Sequence, residues 1–127
     1  MKLMDAMRAK ARANVRKIVF PEGDEPRTVE AAAILRNEGL ADPVLLTPDM
    51  TAANADRYAS ALYELRKAKG LTPEGAAALA ADPMYYGMMM VKSADADGLV
   101  SGAVHSTGDM LRPALQIIRT APGMKLV

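Results

Sequence analysis

The sequence predicts an α/β fold of three layers, a mainly parallel sheet with helices on both sides. Three observations carry that expectation. Lys17-Ile18-Val19-Phe20 and Pro43 to Leu46 are compact apolar runs separated by a helical pattern. A strand–helix–strand unit of this kind makes parallel neighbours through a right-handed crossover. Gly98-Leu99-Val100-Ser101 is a third run, entered from a polar turn and suited to a buried strand. Finally, half of the residues are hydrophobic while only 4% are aromatic, with ten Met. Ala and Met must therefore fill the interior, which favours helix-rich packing of small and adaptable side chains.

The elements follow in order. Lys2 to Asn14 reads as a short basic helix with Leu3, Met4 and Met7 on one side. The strand Lys17–Phe20 is stopped by Pro21 and opened by Gly23. Asp24 or Glu25 can cap the next helix, with Pro26 near its first turn and Gly39 at its end. Its apolar side is Val29, Ala32 and Ala33, joined by Ile34 and Leu35. After the second strand, Thr47 to Asn54 is expected to be a short loop. From Ala55 a helix places Tyr58, Leu62 and Leu65 on one stripe, and Gly70 caps it. Arg57, Arg66, Lys67 and Lys69 form a charge cluster of the kind that is usually solvated surface. Thr72-Pro73 and Asp82-Pro83 are both helix starts, for Pro73 to Ala80 and Met84 to Val91. Met88, Met89 and Met90 are adjacent and cannot share one face. Asp95-Ala96-Asp97-Gly98 lacks the further ligands of a calcium loop and reads as a turn. Pro122-Gly123 ends the last helix, and Met124 to Val127 looks like the start of another strand.

Composition excludes several classes. A length of 127 residues suffices for one domain. A net charge of +1 argues against a broad basic surface for nucleic acid. With no Cys there is no disulfide, thiol nucleophile or cysteine metal site, and no metal is implied. No apolar run approaches a membrane span, and Met1 to Val15 lacks the apolar core of a secretory signal. A cytoplasmic domain is the expectation.

The chemistry concentrates after the third strand. Gly102 to Gly108 is a loop of small, hydroxyl-bearing residues around His105, the single histidine. A helix is expected from Asp109, which serves as cap or first-turn residue, with Leu111, Ala114, Leu115 and Ile118 on one face. Strand, loop and helix start collect anions, because free backbone N–H groups and the positive end of the helix dipole face the loop. Ser101, Ser106 and Thr107 add hydroxyl donors. Arg112, expected in the first turn, adds a permanently charged fork for phosphate.

The run DADGLVSGAVHST followed by LRPALQIIRT closely resembles the central signature of phosphate acetyltransferases. KIVFPEGDEPRTVEAA resembles the start of that family, and YELRK and ADPMYYGMMMV match its helices. The chain is thereby identified as a member, residues 1–127 forming the N-terminal part of the phosphate acetyl/butyryl transferase domain. The resemblance implies an incomplete sheet of the isocitrate/isopropylmalate dehydrogenase-like kind, because relatives place a further helix and strand after the second strand. It implies the reaction acetyl-CoA + phosphate ⇌ acetyl phosphate + CoA, with coenzyme A as substrate and no cofactor. Arg112 then matches an arginine important for catalysis and substrate binding, and Arg66 one implicated in binding coenzyme A. Phosphate contacts would come from Ser101, Gly102, His105, Ser106 and Thr107 beside Arg112. No position matches the family's base, so the chain alone is expected to be inactive. A homodimer is the family expectation, with no nucleic-acid or membrane partner.

Other readings compete. Butyryl specificity is one, though the acetyl-type motifs fit better. A phosphate-binding dehydrogenase would need metal carboxylates and a GxGxxG run, and neither is present. A non-catalytic module regulating or assembling a larger enzyme, such as a malic enzyme, need not keep Arg112 and the SGAVHST loop.

Overall fold

The computed structural model describes residues 2–119. The expected helix end at Pro122-Gly123 and strand start at Met124 to Val127 lie outside that range. The elements are α1 Leu3–Ala13, β1 Lys17–Phe20, α2 Pro26–Asn37, β2 Asp42–Leu45, α3 Pro48–Ala53, α4 Asp56–Arg66, α5 Pro73–Ala80, α6 Pro83–Lys92, β3 Gly98–Leu99 and α7 Thr107–Pro113. A single turn of 3-10 helix, Lys67–Lys69, follows α4, and a wide π turn, Ala114–Ile118, continues α7. No described helix is long and apolar enough to cross a membrane.

The sheet is parallel, in the order β2-β1-β3. Ile18 lies opposite both Pro43 and Gly98, and Val19 opposite Val44 and Leu99. Asp42 and Leu46 donate their N–H groups to Arg16 and Phe20 across the ladder. Residue 43 between them therefore turns its nitrogen outward, where a proline costs no bond. Successive side chains of β1 point to opposite faces. Val19, fully buried, meets Gly87 of α6, and Phe20 lies beside Thr28 and Ala31 of α2. Helices thus cover both faces, giving the three-layer arrangement. The α6 side holds the main core, where Leu62, Met84, Met89 and Ile117 are at most 2% exposed. At Gly87 an added Cβ would stand 2.8 Å from Leu99 Cδ1, so the missing side chain lets α6 lie close on the sheet.

Tertiary ties hold the loops. Tyr58 donates its hydroxyl hydrogen to Asp95 at 2.5 Å, fixing α4 to the turn before β3. Burial and the Asp95 carboxylate together push that phenol up to about 12. Asp97 accepts from the N–H of Lys17 and donates its own N–H to the Lys17 carbonyl, closing the turn onto β1.

Two expectations are corrected here. The stretch Thr47 to Asn54 is not a plain loop. Thr47 caps α3 through its hydroxyl, and Thr51, fully buried, donates to the Ala81 carbonyl at 2.5 Å. The second concerns the last helix. Leu111, Leu115 and Ile118 are 50%, 39% and 37% exposed, whereas Pro113 and Ile117 are buried. Pro113 has no N–H for the helical ladder. The chain widens after it, Arg119 donating its N–H to Ala114 five residues back. The extra residue in that turn shifts the inward position to Ile117.

Candidate functional site

β1 is followed by α2 on one face of the sheet, and β3 by α7 packed against α6 on the other. Loops that diverge to opposite faces from adjacent parallel strands leave a crevice at the carboxyl ends. The residues of the candidate site gather there.

Pro21, Glu22 and Gly23 leave the end of β1 buried. Gly23 donates its N–H to the Leu46 carbonyl at 2.8 Å, and a Cβ on Gly23 would stand 2.5 Å from that same oxygen. This tight seat aims Glu22 across the crevice into the loop after β3. Its Oε1 accepts from the N–H groups of Gly102 and Ala103, both at 3.0 Å. Its Oε2 accepts from those of Val104 and His105, both at 2.8 Å, and lies 2.8 Å from His105 Nδ1. Glu22 is 4% exposed. Burial opposes its ionisation, but the His105 ring and the backbone donors outweigh it and hold the carboxyl far below the usual carboxylate range.

The free N–H groups expected at Gly102 to His105 are therefore not free. A carboxylate 80 to 83 residues away in sequence occupies them. Gly102 sits at φ +128°, a conformation that favours glycine. His105 turns one ring nitrogen to Glu22, the structural partnership common for a lone histidine. Arg27, in the first turn of α2, donates to Glu25 and through Nη2 to the Ala103 carbonyl at 2.8 Å. The loop is thus held from two sides.

Ser106 Oγ accepts from the N–H of Asp109 at 3.2 Å and caps α7. The helix accordingly starts at Thr107 rather than Asp109, and Arg112 stands in its last turn rather than its first. Ser106 and Thr107 are exposed at the loop's outer end. Ser101 Oγ is buried with no hydrogen-bond partner among the described residues. It lines a cleft of about 210 Å³ with Phe20, Glu22, Arg27, Thr28 and Val100.

Arg112 is exposed, and neither it nor Arg66 has an acidic partner within salt-bridge distance among the described residues. Burial and the charge of Asp82 raise the Tyr85 hydroxyl above its ordinary range, while the positive charges of Arg112 and Arg66 pull the other way. That hydroxyl donates to Gln116 Oε1 at 2.9 Å. Arg66 and Gln116 line a second cleft of about 270 Å³ with Lys69, Gly70, Leu71 and Leu79. The fold therefore places Arg66, at the end of α4, in one cleft with Gln116, which holds the Tyr85 hydroxyl. Within the charge cluster, Arg57, Lys67 and Lys69 are exposed and Arg66 is half-buried.

The residues that the sequence reading missed are Glu22, Arg27, Tyr85 and Gln116. Their partners lie on other elements, so no local spacing marks them. The available signal was positional: Glu22 directly follows a strand's carboxyl end, where ligand crevices form.

Comparison with known proteins agrees with this architecture. The phosphate acetyl/butaryl transferase family pattern matches residues 2–127. Phosphate acetyltransferases of Thermoanaerobacterium thermosaccharolyticum and Acetivibrio thermocellus are 47% and 40% identical, each over all of this chain. The chain spans 45% and 44% of their respective lengths. The first alignment runs over 147 positions against 127 residues here, so that relative carries positions with no counterpart in this chain. A phosphotransacetylase structure from Streptococcus pyogenes superposes with a TM-score of 0.88 at 38% identity, over 99% of this chain and 46% of the other. A signature loop clasped at the crevice and a match along nearly every residue agree, and the chain belongs to the phosphate acetyl/butaryl transferase family.

Proposed function

We propose that this chain supplies the phosphate-facing and coenzyme A-facing wall of a phosphate acetyltransferase, which exchanges an acetyl group between coenzyme A and inorganic phosphate. One observation carries the reading: Arg66 lines an open cleft with Gln116, the acceptor of the Tyr85 hydroxyl, and neither Arg66 nor the exposed Arg112 of α7 is paired with a carboxylate among the described residues. Charge left unneutralised at a concave surface fits a polyanionic ligand. Arg112 neutralises the phosphoryl oxygens as the acetyl carbonyl is attacked, and Ser101, Ser106 and Thr107 donate to them. Gly102 and His105 serve the same region through the shape of the loop. Arg66 takes a phosphate group of coenzyme A. The base that makes the thiolate is expected on residues that relatives carry beyond the matched span. Homodimeric assembly, a cytoplasmic setting and acetyl over butyryl preference accompany this reading on family likeness.

The test is calorimetric titration of the purified chain with coenzyme A and, separately, with inorganic phosphate. Arg66→Ala is expected to weaken coenzyme A, and Arg112→Ala phosphate. Each should lose about 10- to 100-fold, the worth of a charged hydrogen bond. Unchanged affinities in both variants would overturn the assignment.

A further inference from the structure

We propose that Glu22 is a positioning residue, a built-in anion that fills the backbone nest of Gly102 to His105. It thereby sends an incoming phosphoryl group to the hydroxyls of Ser101, Ser106 and Thr107 and to Arg112. The identity of that outside anion rests on the reading above. The role of Glu22 in building the loop does not.

Three observations support the inference. Four consecutive backbone N–H groups and a histidine ring converge on one carboxylate, with two amides on each oxygen. A nest of successive N–H groups is a ready concavity for an anion, and here the protein supplies the anion itself. A second anion would find no unused donor in it and would face the like charge of Glu22.

Apolar burial, moreover, does little to hold this loop. Val104 is 64% exposed, and Gly102 has no side chain to bury. The bonds to Glu22, with the Arg27 bond to Ala103, are what fix the loop's path.

Lastly, Ser101, at the entrance to the same loop, lines one cleft with Glu22, and its Oγ is buried with no hydrogen-bond partner among the described residues. Buried hydroxyls are ordinarily satisfied, so an orphan beside a filled nest marks where an outside acceptor is wanted. The geometry separates two tasks usually shared by one loop. The amides hold the internal carboxylate, and the side chains are left for the ligand.

The experiment uses amide hydrogen exchange and backbone amide spectra of the 127-residue chain and of Glu22→Ala. In Glu22→Ala, exchange at Gly102, Ala103, Val104 and His105 is expected to quicken at least tenfold, while that of the Met84–Met89 core segment holds. Formate, a carboxylate small enough for the vacated nest, should restore protection, and neutral formamide at the same concentration should not. A residue that merely fills space would not respond to the charge of the additive. In the parent chain, inorganic phosphate should shift the signals of Ser106, Thr107 and Arg112 and leave the four nest amides in place.

Unaltered exchange in Glu22→Ala overturns the proposal, and so does phosphate that moves the nest amides of the parent. Should Glu22→Ala fail to fold, Glu22→Gln carries the test. It keeps the side chain's shape but sets an amide N–H₂ against two backbone donors, so protection should fall at two of the four positions. Formate rescue of the variant with no phosphate response in the parent would sustain the role of Glu22 and defeat the phosphate-transfer reading.

Discussion

At the scale of single residues, Glu22 and Gly23 form one device. Gly23 lets the chain press on the end of β2, and that seat delivers the Glu22 carboxylate. Gly23→Ala places a Cβ against backbone, which cannot swing aside as a side-chain tip can. It should cost about 1–3 kcal/mol in denaturant unfolding, the usual range for overpacking. Glu22 also sets a pH dependence. Its folded pKa is depressed, so its stabilisation is fully present above the ordinary glutamate value of about 4.3 and is lost as pH falls below that. The denaturation midpoint of the chain should therefore drop more steeply between about pH 5 and pH 3 than that of Glu22→Gln. Parallel profiles would mean that the clasp contributes nothing to folding.

At the scale of elements, the last helix is the instructive one. Its most regular apolar stripe, Leu111, Leu115 and Ile118, faces outward, while Pro113 and Ile117 face α6. Ile117→Ala should cost about 2–4 kcal/mol as a buried truncation. Leu115→Ala should stay within about 1 kcal/mol, and a reversal of that order would show that the π turn is not where the chain places it. The short α3 is a second case. Thr51 bonds the Ala81 carbonyl at the corner between α5 and α6, so Thr51→Val removes the donor to that half-buried acceptor. A loss of about 1–3 kcal/mol is expected, read by thermal unfolding.

At the scale of the molecule, a three-stranded sheet carries the clasped loop beside one cleft, and Arg66 lines another. The chain spans 45% and 44% of the lengths of the first two relatives. Coenzyme A should bind the purified chain, whereas a thiol-release assay with acetyl-CoA and phosphate should show no turnover above background. Robust turnover would mean that the base lies within these 127 residues.

Much of this was readable along the chain, because helices and strands announce themselves through short-range rules. Pro26, Pro73 and Pro83 each stand at the first position of a helix, behind the caps Glu25, Thr72 and Asp82. The apolar runs at Lys17–Phe20 and Pro43–Leu46 became strands within one residue of expectation. The role proposed for Arg66 came only through family likeness, since a lone arginine on a helix carries no mark of its purpose, whereas Arg112 was also singled out by its place after the loop. What local rules could not reach was every bond spanning dozens of residues. The Glu22 carboxylate in the Gly102–His105 nest and the Tyr85 hydroxyl on Gln116 are of that kind, as is the burial of Ile117 in place of Ile118. Each depends on where distant backbone segments stop in space. Spacing along a sequence fixes which way a side chain leaves its own helix, and packing alone settles what it then meets.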